Sequence, residues 1–237
     1  DEKKTTVMDG HGGYMNGSRY YGEDLPINTW YMKRFAGLSE DGLSLWYYTD
    51  KETNEEKTTT TYSTGDFYLC GDPNPDLYGG FGTSITFHGF DLSTQFSYLV
   101  GGLTYDYGYA GMMGNPTATS VGNRWHKDVL KAWSPENPSS TIPRWHFNDL
   151  NTTGSSDRFL IDGSYLNLQN IQVGYTLPDS WTSHLKIKNL RLYFVCDNVY
   201  YWSKRKGLDP RRSISGVGTS GKIAPFRTYS GGISLQF

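Results

Sequence analysis

The closing stretch of the chain reads Arg227-Thr-Tyr-Ser-Gly-Gly-Ile-Ser-Leu-Gln-Phe237, and its residue types alternate with a period of two. One set of alternate residues is apolar or small: Tyr229, Gly231, Ile233, Leu235 and Phe237. The other set is small and polar: Thr228, Ser230, Gly232, Ser234 and Gln236. This alternation predicts a β-strand with one apolar face, close in length to the roughly 9–11 residues of a bilayer-crossing strand. A half-buried strand of a soluble sandwich has the same pattern, so this stretch alone leaves both open.

The composition favours a β-rich protein. Aromatic residues make up 16% of the 237 residues and charged residues only 19%, which fits strands with aromatic girdles rather than a disordered chain. The formal net charge of −2 gives no reason to expect nucleic-acid binding. No apolar run approaches the ~18 residues of a transmembrane helix, which excludes a helical membrane protein but not a barrel.

The clearest hairpin lies near the middle of the chain. Residues 81–87 and 90–100 alternate with a period of two and meet at the turn His88-Gly89. Phe87 and Phe90 flank this turn, as expected where a short turn meets a membrane interface. We therefore predict two paired strands here.

Four further stretches are predicted as strands: residues 29–36, 43–49, 164–177 and 187–202. The apolar phase changes within 164–177, which indicates either a β-bulge or a first half outside the membrane. In 187–202, Arg191 and Asp197 share one face. Because charges facing lipid are costly, we expect both to face a barrel lumen.

The remaining segments are predicted as connections. Residues 1–28 read as a surface loop and 50–64 as a solvated loop, while two prolines and paired glycines in 72–80 forbid regular structure until Phe81. Residues 178–181 read as a short turn. Within the long connection 101–157, residues 123–133 could form a short helix that ends at Ser134-Pro135.

Connection lengths alternate along the second half of the chain. His88-Gly89 and 178–186 are short, whereas 101–157 and 203–224 are long. Transmembrane barrels have this asymmetry, with short periplasmic turns and long extracellular loops, and a soluble sandwich has no reason for it. The alternation favours a membrane barrel.

Several motifs resemble one family. Residues 158–178 read Arg-Phe-Leu-Ile-Asp-Gly-Ser-Tyr-Leu-Asn-Leu-Gln-Asn-Ile-Gln-Val-Gly-Tyr-Thr-Leu-Pro, similar to the "rfl.dgsYlrlknitlgYtlP" signature of SusC/RagA-type TonB-dependent outer-membrane transporters. Residues 189–200 resemble their next strand, "lrvyvsgqNl". Residues 207–210 and 224–237 resemble the final loop and closing strand. Residues 71–81 resemble "GnpnPkytgGf", with Asp76 where a lysine is common.

The resemblance covers most of residues 71–237, whereas 1–69 match only loosely, around 30–42. It implies an all-β fold, a transmembrane antiparallel β-barrel segment with long extracellular loops and short periplasmic turns. We expect residues 1–237 to be the C-terminal portion of such a barrel. The family's plug domain and N-terminal barrel strands have no counterpart here, and a lone segment cannot close, because an open edge in lipid leaves backbone groups unpaired.

The resemblance also implies a function and partners. The expected role is part of a SusC-like importer of glycans or peptides in a Gram-negative outer membrane. The implied partners are the rest of the barrel and plug, a SusD-like surface lipoprotein, TonB, and outer-membrane lipid with lipopolysaccharide. Phe237 is implied to be part of the membrane-assembly signal. The alternative is a soluble, secreted β-sandwich that binds carbohydrate through its aromatic residues.

Candidate site residues are few. Trp125, Trp133 and Trp145 could stack on sugar or peptide ligands, although packing of the loop is the favoured interpretation. Arg205, Arg211 and Arg212 could contact a partner or lipopolysaccharide phosphates, with simple solvation favoured. We predict no catalytic residues, because none of the five histidines has a nucleophile at motif spacing. No metal site or cofactor is predicted, and a bridge between Cys70 and Cys196 stays open.

Overall fold

The computed structural model describes residues 6–8, 10–117, 124–152, 154–182, 187–205, 208–212, 215–217 and 225–237. The chain divides into two compact units. Unit 1 consists of Asp1–Asn74, Gly102–Asp162 and Arg212–Gly221, and unit 2 of Pro75–Gly101, Gly163–Arg211 and Lys222–Phe237. No helix in the described part of the chain is long and apolar enough to cross a membrane.

Unit 2 is one antiparallel sheet of long strands in the order β15-β14-β13-β10-β9. Its strands are β9 Leu77–Phe87, β10 Phe90–Val100, β13 Tyr165–Thr176, β14 Asn189–Ser203 and β15 Thr228–Gln236. A short helix α2, Asp179–Thr182, follows β13, and a 3-10 helix, Pro210–Arg212, follows β14. The strands predicted at 187–202 and at the end of the chain are confirmed as β14 and β15, and the two pair with each other.

Unit 1 contains shorter strands in three sheets, ordered β1-β2-β3-β4-β8, β5-β6-β7 and β11-β12. These strands are β1 Thr6–Met8, β2 His11–Asn16, β3 Arg19–Gly22, β4 Thr29–Lys33, β5 Phe35–Leu38, β6 Ser44–Thr49, β7 Glu56–Thr59, β8 Phe67–Leu69, β11 Leu103–Tyr105 and β12 Leu160–Asp162. Helix α1 is Tyr107–Met112, and 3-10 helices lie at Lys127–Lys131, Leu150–Thr152 and Asp157–Phe159.

The core of unit 1 is aromatic and well buried. Its central cluster is Trp30, Met32, Tyr105, Met113 and Phe159. The indole nitrogen of Trp30 donates to the Leu103 carbonyl at 3.1 Å, and the Arg19 guanidinium lies 3.1 Å from the Trp30 ring centroid. The indole N–H of Trp30 and the guanidinium of Arg19 therefore both have partners in this cluster.

The predicted surface loop at residues 1–28 is wrong, because β1, β2 and β3 pair in this segment. The glycines that suggested a loop instead permit close approach of two strands. A Cβ on Gly13 would lie 2.1 Å from the Tyr21 carbonyl oxygen, and the rings of Tyr14 and Tyr21 stack at 5.3 Å. Cross-strand aromatic contact stabilises this hairpin despite its glycines.

Two other predicted connections contain strands. In 72–80, β9 already begins at Leu77, because the Tyr98 ring covers Gly79, where a Cβ would lie 2.9 Å from the Tyr98 hydroxyl oxygen. In 50–64, β7 pairs with β6 at Glu56–Thr59, and Lys57 forms an ion pair with Asp50 at 2.5 Å. In both cases tertiary contacts outweigh poor strand propensity.

The helix predicted at 123–133 is reduced to the 3-10 helix Lys127–Lys131, whose first turn is capped by the His126 side chain accepting from the Asp128 amide. Asn123 lies outside the described residues. The turn predicted at 178–181 is a single helical turn, α2. Residues within 101–157 that read as one long connection contribute α1 and β11 to unit 1.

The phase change predicted within residues 164–177 is a β-bulge. Where β10 advances one residue, from Gln95 to Phe96, β13 advances two, from Asn170 to Leu168. Along β14 the same interval takes three residues. The extra residue on β13 places Leu168 on the same face as Ile171, so one apolar face continues through the irregularity.

Candidate functional site

One face of the five-stranded sheet of unit 2 is apolar, and we call it the apolar face. One row across the strands consists of Phe87, Phe90, Tyr175, Leu192 and Ile233, and the next of Ile85, Leu92, Val173, Phe194 and Gly231. Phe194 is 50% exposed and Ile233 65% exposed. Soluble proteins rarely leave so large a continuous apolar surface in water, whereas lipid would cover it favourably.

Aromatic residues mark both ends of the apolar face. Phe90 packs on Tyr175 at the end with the short turn, with ring centroids 4.4 Å apart. Tyr200 and Trp202 pack edge to face at 4.8 Å towards the other end. Leu192 and Trp202 lie level with Phe90 and Tyr98 of the unbulged β10, eight residues apart, which is roughly 27 Å of strand and about 19–22 Å along the normal at a tilt of about 35–45°. That span fits the apolar band of a membrane barrel, about 25 Å tall with an aromatic girdle at each interface.

The turn between β9 and β10 explains the tight hairpin at this end. His88 and Gly89 both have positive φ, 47° and 84°. Two such residues in succession are typical of a type I′ turn, whose twist matches that of the flanking strands. The predicted two-residue connection is confirmed.

The opposite face, which we call the polar face, carries an ion pair that crosses a strand. Arg191 on β14 donates to both carboxylate oxygens of Asp91 on β10, at 2.9 and 2.5 Å. The pair passes over Gly174 on β13, where a Cβ would lie 2.4 Å from both partners. Only glycine leaves room for this bidentate contact across the intervening strand.

A second contact on the polar face joins the last two strands. The ring of Tyr193 on β14 lies over Gly232 on β15, where a Cβ would come within 2.4 Å of the ring. The Arg191 guanidinium lies 5.3 Å from the same ring. Asp197, also on this face, accepts from the Asn170 amide at 2.7 Å. Arg191 and Asp197 thus share the polar face, and its role as a lumen wall stays a prediction.

Arg211 is not simply solvated, contrary to the favoured sequence interpretation. Its guanidinium donates to both carboxylate oxygens of Asp209 at 2.8 Å and to the Asn167 side-chain oxygen at 2.7 Å. The Asp209 side chain is only 3% exposed. This buried pair holds the 3-10 helix Pro210–Arg212 against the sheet. Arg205 is half-buried, and the side chain of Arg212 lies outside what the structure describes.

The three candidate tryptophans lie in unit 1. Trp125 and Trp145 pack edge to face at 5.6 Å, and the Trp125 indole nitrogen donates to the Gly114 carbonyl at 3.1 Å. Trp133 packs on Gly42, where a Cβ would lie 2.4 Å from the indole. Trp145 is 45% exposed, so it is the member of the set with a ring face available to a ligand. Their ligand role stays a prediction.

Burial shifts the pKa of three ionisable groups next to the core of unit 1. Burial raises the pKa of Asp157, whose carboxylate accepts from the Phe35 amide at 2.8 Å. Burial lowers the pKa of Arg158 to about 10 and raises that of the Cys70 thiol to about 11. Such a thiol is unreactive at neutral pH. Cys70 and Cys196 are both free, so the possible bridge between them is not formed.

The sequence is similar to those of curated TonB-dependent receptors. TonB-dependent receptor P3 of Formosa agariphila is 29% identical over 235 residues, which is 95% of this chain and 22% of the receptor. TonB-dependent receptor SusC of Bacteroides thetaiotaomicron is 27% identical over 182 residues, 75% of this chain and 17% of SusC. No family model matches the chain.

Solved structures show the same relationship. The RagAB peptide transporter matches 94% of this chain and 24% of its own, with a TM-score of 0.76 and 24% identity. The RagAB peptide importer in the open-open state matches 98% of this chain and 25% of its own, with a TM-score of 0.75 and 25% identity. The chain is similar to TonB-dependent transporters of the SusC/RagA type. Its fold is an all-β barrel segment, as predicted, and it spans about a fifth of the length of the curated relatives it matches.

Sequence reasoning missed the partners of the polar face. Arg191 was placed on that face, but its pairing with Asp91 depends on β10 and β14 lying on either side of β13. The available signal was Gly174, a glycine at a polar-face position of β13. Such a glycine indicates close approach of another group.

Proposed function

We propose that this chain is the C-terminal barrel portion of a SusC-like TonB-dependent importer in a Gram-negative outer membrane. The continuous exposed apolar face of unit 2 is the observation that carries the proposal. A sheet with one apolar and one polar face matches a wall between lipid and a polar interior. The kinship with TonB-dependent receptors supports the same role, and these relatives are receptors rather than enzymes.

The proposed cargo is a glycan or a peptide. RagAB is named a peptide transporter, and SusC is a TonB-dependent receptor. In this proposal a SusD-like lipoprotein covers the extracellular side, the rest of the barrel and the plug complete the channel, and TonB supplies energy. Closure of the barrel requires further strands, because the outer edges of β9 and β15 have no neighbour among the described residues.

The proposal is tested by the behaviour of the full transporter that contains this chain. We expect it in the outer-membrane fraction, soluble only in detergent, and migrating faster in gel electrophoresis before heating than after. Copurification of a surface lipoprotein would support the lid. A monodisperse protein in plain buffer would contradict the proposal and favour the secreted carbohydrate-binding module instead.

Trp145→Ala is expected to weaken ligand binding if the exposed indole stacks on the cargo. Loss of one stacking platform should lower affinity by roughly tenfold, since aromatic contacts of this kind contribute about 0.5–1.5 kcal/mol or more. Calorimetric titration of the purified transporter with its oligosaccharide or peptide measures the effect. Leu130→Ala is the matched control, because Leu130 is 91% exposed in the same unit. Equal affinities for both variants would reject Trp145 as a ligand contact.

Deletion of Phe237 is expected to impair insertion more than transport. Phe237 is 73% exposed and directly follows β15, so its loss removes little packing within the described residues. A terminal aromatic residue read by the assembly machinery explains why it would still matter. Surface levels measured by protease accessibility should fall several-fold, while uptake per surface molecule stays unchanged. Normal surface levels would refute the assembly role.

A further inference from the structure

A groove of about 480 Å³ lies in unit 2 where β14 extends beyond its pairing with β15. β15 pairs with β14 only as far as Asp197, and Asn198–Ser203 has no paired strand on that side among the described residues. Two side-chain hydrogen bonds replace part of the missing backbone pairing between this part of β14 and the chain that leads into β15. Arg227 donates to the Val199 carbonyl at 2.5 Å, and Asn198 donates to the Phe226 carbonyl at 3.1 Å.

The lining of the groove combines aromatic walls with cationic groups. The residues that line it are Asn198, Val199, Tyr200, Tyr201, Trp202, Ser203, Arg211, Pro225 and Arg227. None of these described lining residues is acidic. Tyr200 and Trp202 are about half exposed and belong to the aromatic end of the apolar face.

The two arginines differ in what neutralises them. Arg211 is held by the Asp209 carboxylate, so it adds little net charge to the groove. The contact seen for the Arg227 guanidinium is with the neutral Val199 carbonyl, and Arg227 also interacts with the Tyr229 hydroxyl. Since no carboxylate of the described residues pairs with Arg227, its positive charge is available to an anion, and guanidinium groups suit phosphate in particular.

We propose that this groove binds the phosphate of an outer-leaflet lipid, with Arg227 on the phosphate and Trp202 and Tyr200 against the sugar or acyl chain. The inference rests on the proposed membrane function, because only then do the aromatic end of the apolar face and lipid headgroups meet. A soluble anion needs no half-exposed aromatic wall, whereas a lipid contacts both the charge and the apolar surface. Lipid binding at this point would also cover the part of β14 beyond Asp197, with which β15 does not pair.

The test uses the full transporter in detergent, titrated with bisphosphorylated lipid A, its dephosphorylated form, and inorganic phosphate. We expect binding of the phosphorylated lipid to be roughly tenfold tighter than that of the dephosphorylated lipid. Arg227→Gln should abolish this preference, and Arg227→Lys should keep part of it. Lys188→Gln, at an exposed cation near the other end of β14, is the matched control and should leave the preference unchanged.

Three outcomes would overturn the inference: no preference in the unaltered transporter, an unchanged preference in Arg227→Gln, or inorganic phosphate competing at equal affinity, which would indicate a soluble-anion site. Heat-dependent gel migration of each variant shows separately whether the barrel has assembled. Failure of that migration in the unaltered protein would reject the membrane function itself. An assembled barrel without lipid preference would reject only the groove.

Discussion

The substitution Phe194→Arg is expected to prevent most copies of the transporter from assembling in the membrane. Phe194 lies on the apolar face between Leu192 and Cys196, and its neighbour on β13 is Val173. An arginine facing lipid near the middle of a bilayer costs about 2–4 kcal/mol, which is a large part of the stability of a typical protein. The folded fraction, measured by heat-dependent gel migration of outer-membrane extracts, should fall by at least tenfold.

Val195→Arg is the matched control for this substitution. Val195 lies one residue along β14 on the polar face, opposite Gln172 and Ser230. An arginine there meets polar neighbours, so the folded fraction should change little. If the half-exposed Phe194 faced water instead of lipid, an arginine at this position would cost little. Equal folded fractions for both variants would therefore contradict the lipid-facing assignment.

Gly232→Ala is expected to destabilise the pairing of the closing strand. A Cβ at Gly232 would come within 2.4 Å of the Tyr193 ring, so the ring must leave its position over β15. Displacing a packed aromatic ring costs roughly 1–3 kcal/mol, against the small gain that alanine usually brings to a strand. Urea unfolding of the transporter in detergent micelles measures the loss as a lower midpoint.

Gly231→Ala is the control for this prediction, since a Cβ there would meet only the Tyr193 carbonyl oxygen, at an ordinary 3.7 Å. Its unfolding midpoint should equal or exceed that of the unaltered protein. Tyr193→Ala combined with Gly232→Ala should show no further loss beyond Tyr193→Ala alone, because the ring is already gone. A Gly232→Ala midpoint as high as that of Gly231→Ala would refute the contact.

The long strands were predictable because the alternation of their apolar and polar residues is visible in the sequence itself. The strands ending at Phe87 and beginning at Phe90 have regular alternation and a turn that admits two residues with positive φ. The resemblance to transporter motifs covered the same region. Together these signals indicated the barrel segment and the positions of its long strands.

The short strands of unit 1 were not predictable in the same way. β2 contains Gly12 and Gly13, and its stability depends on contacts such as that between Tyr14 and Tyr21, which adjoin only after the hairpin forms. β7 reads as Glu-Lys-Thr-Thr, a composition typical of a loop, and is fixed by pairing with β6. Local propensity is a weak guide where tertiary contacts decide the conformation.

The candidate site was predictable only in part. The alternation of residues along 187–202 placed Arg191 and Asp197 on a common face. The alternation in the closing strand identified its apolar face, whose side chains are exposed. The burial of Arg211 was not visible, because Asn167 lies on β13 and meets Arg211 only in the folded chain, although Asp209 is two residues away in sequence. Likewise, the sequence did not show that Trp125 and Trp145 pack on each other while Trp133 packs on Gly42, because these contacts form only in the folded chain.

The most direct measurement of the central claim is the water accessibility of successive β14 side chains in intact outer membranes. Single cysteines are introduced as Leu192→Cys, Tyr193→Cys, Phe194→Cys and Val195→Cys in a background with Cys70→Ser and Cys196→Ala, and labelled with a small charged maleimide. The account predicts labelling of the cysteines at positions 193 and 195 and protection of those at 192 and 194. Equal labelling at all four positions would contradict a sheet with one face in lipid.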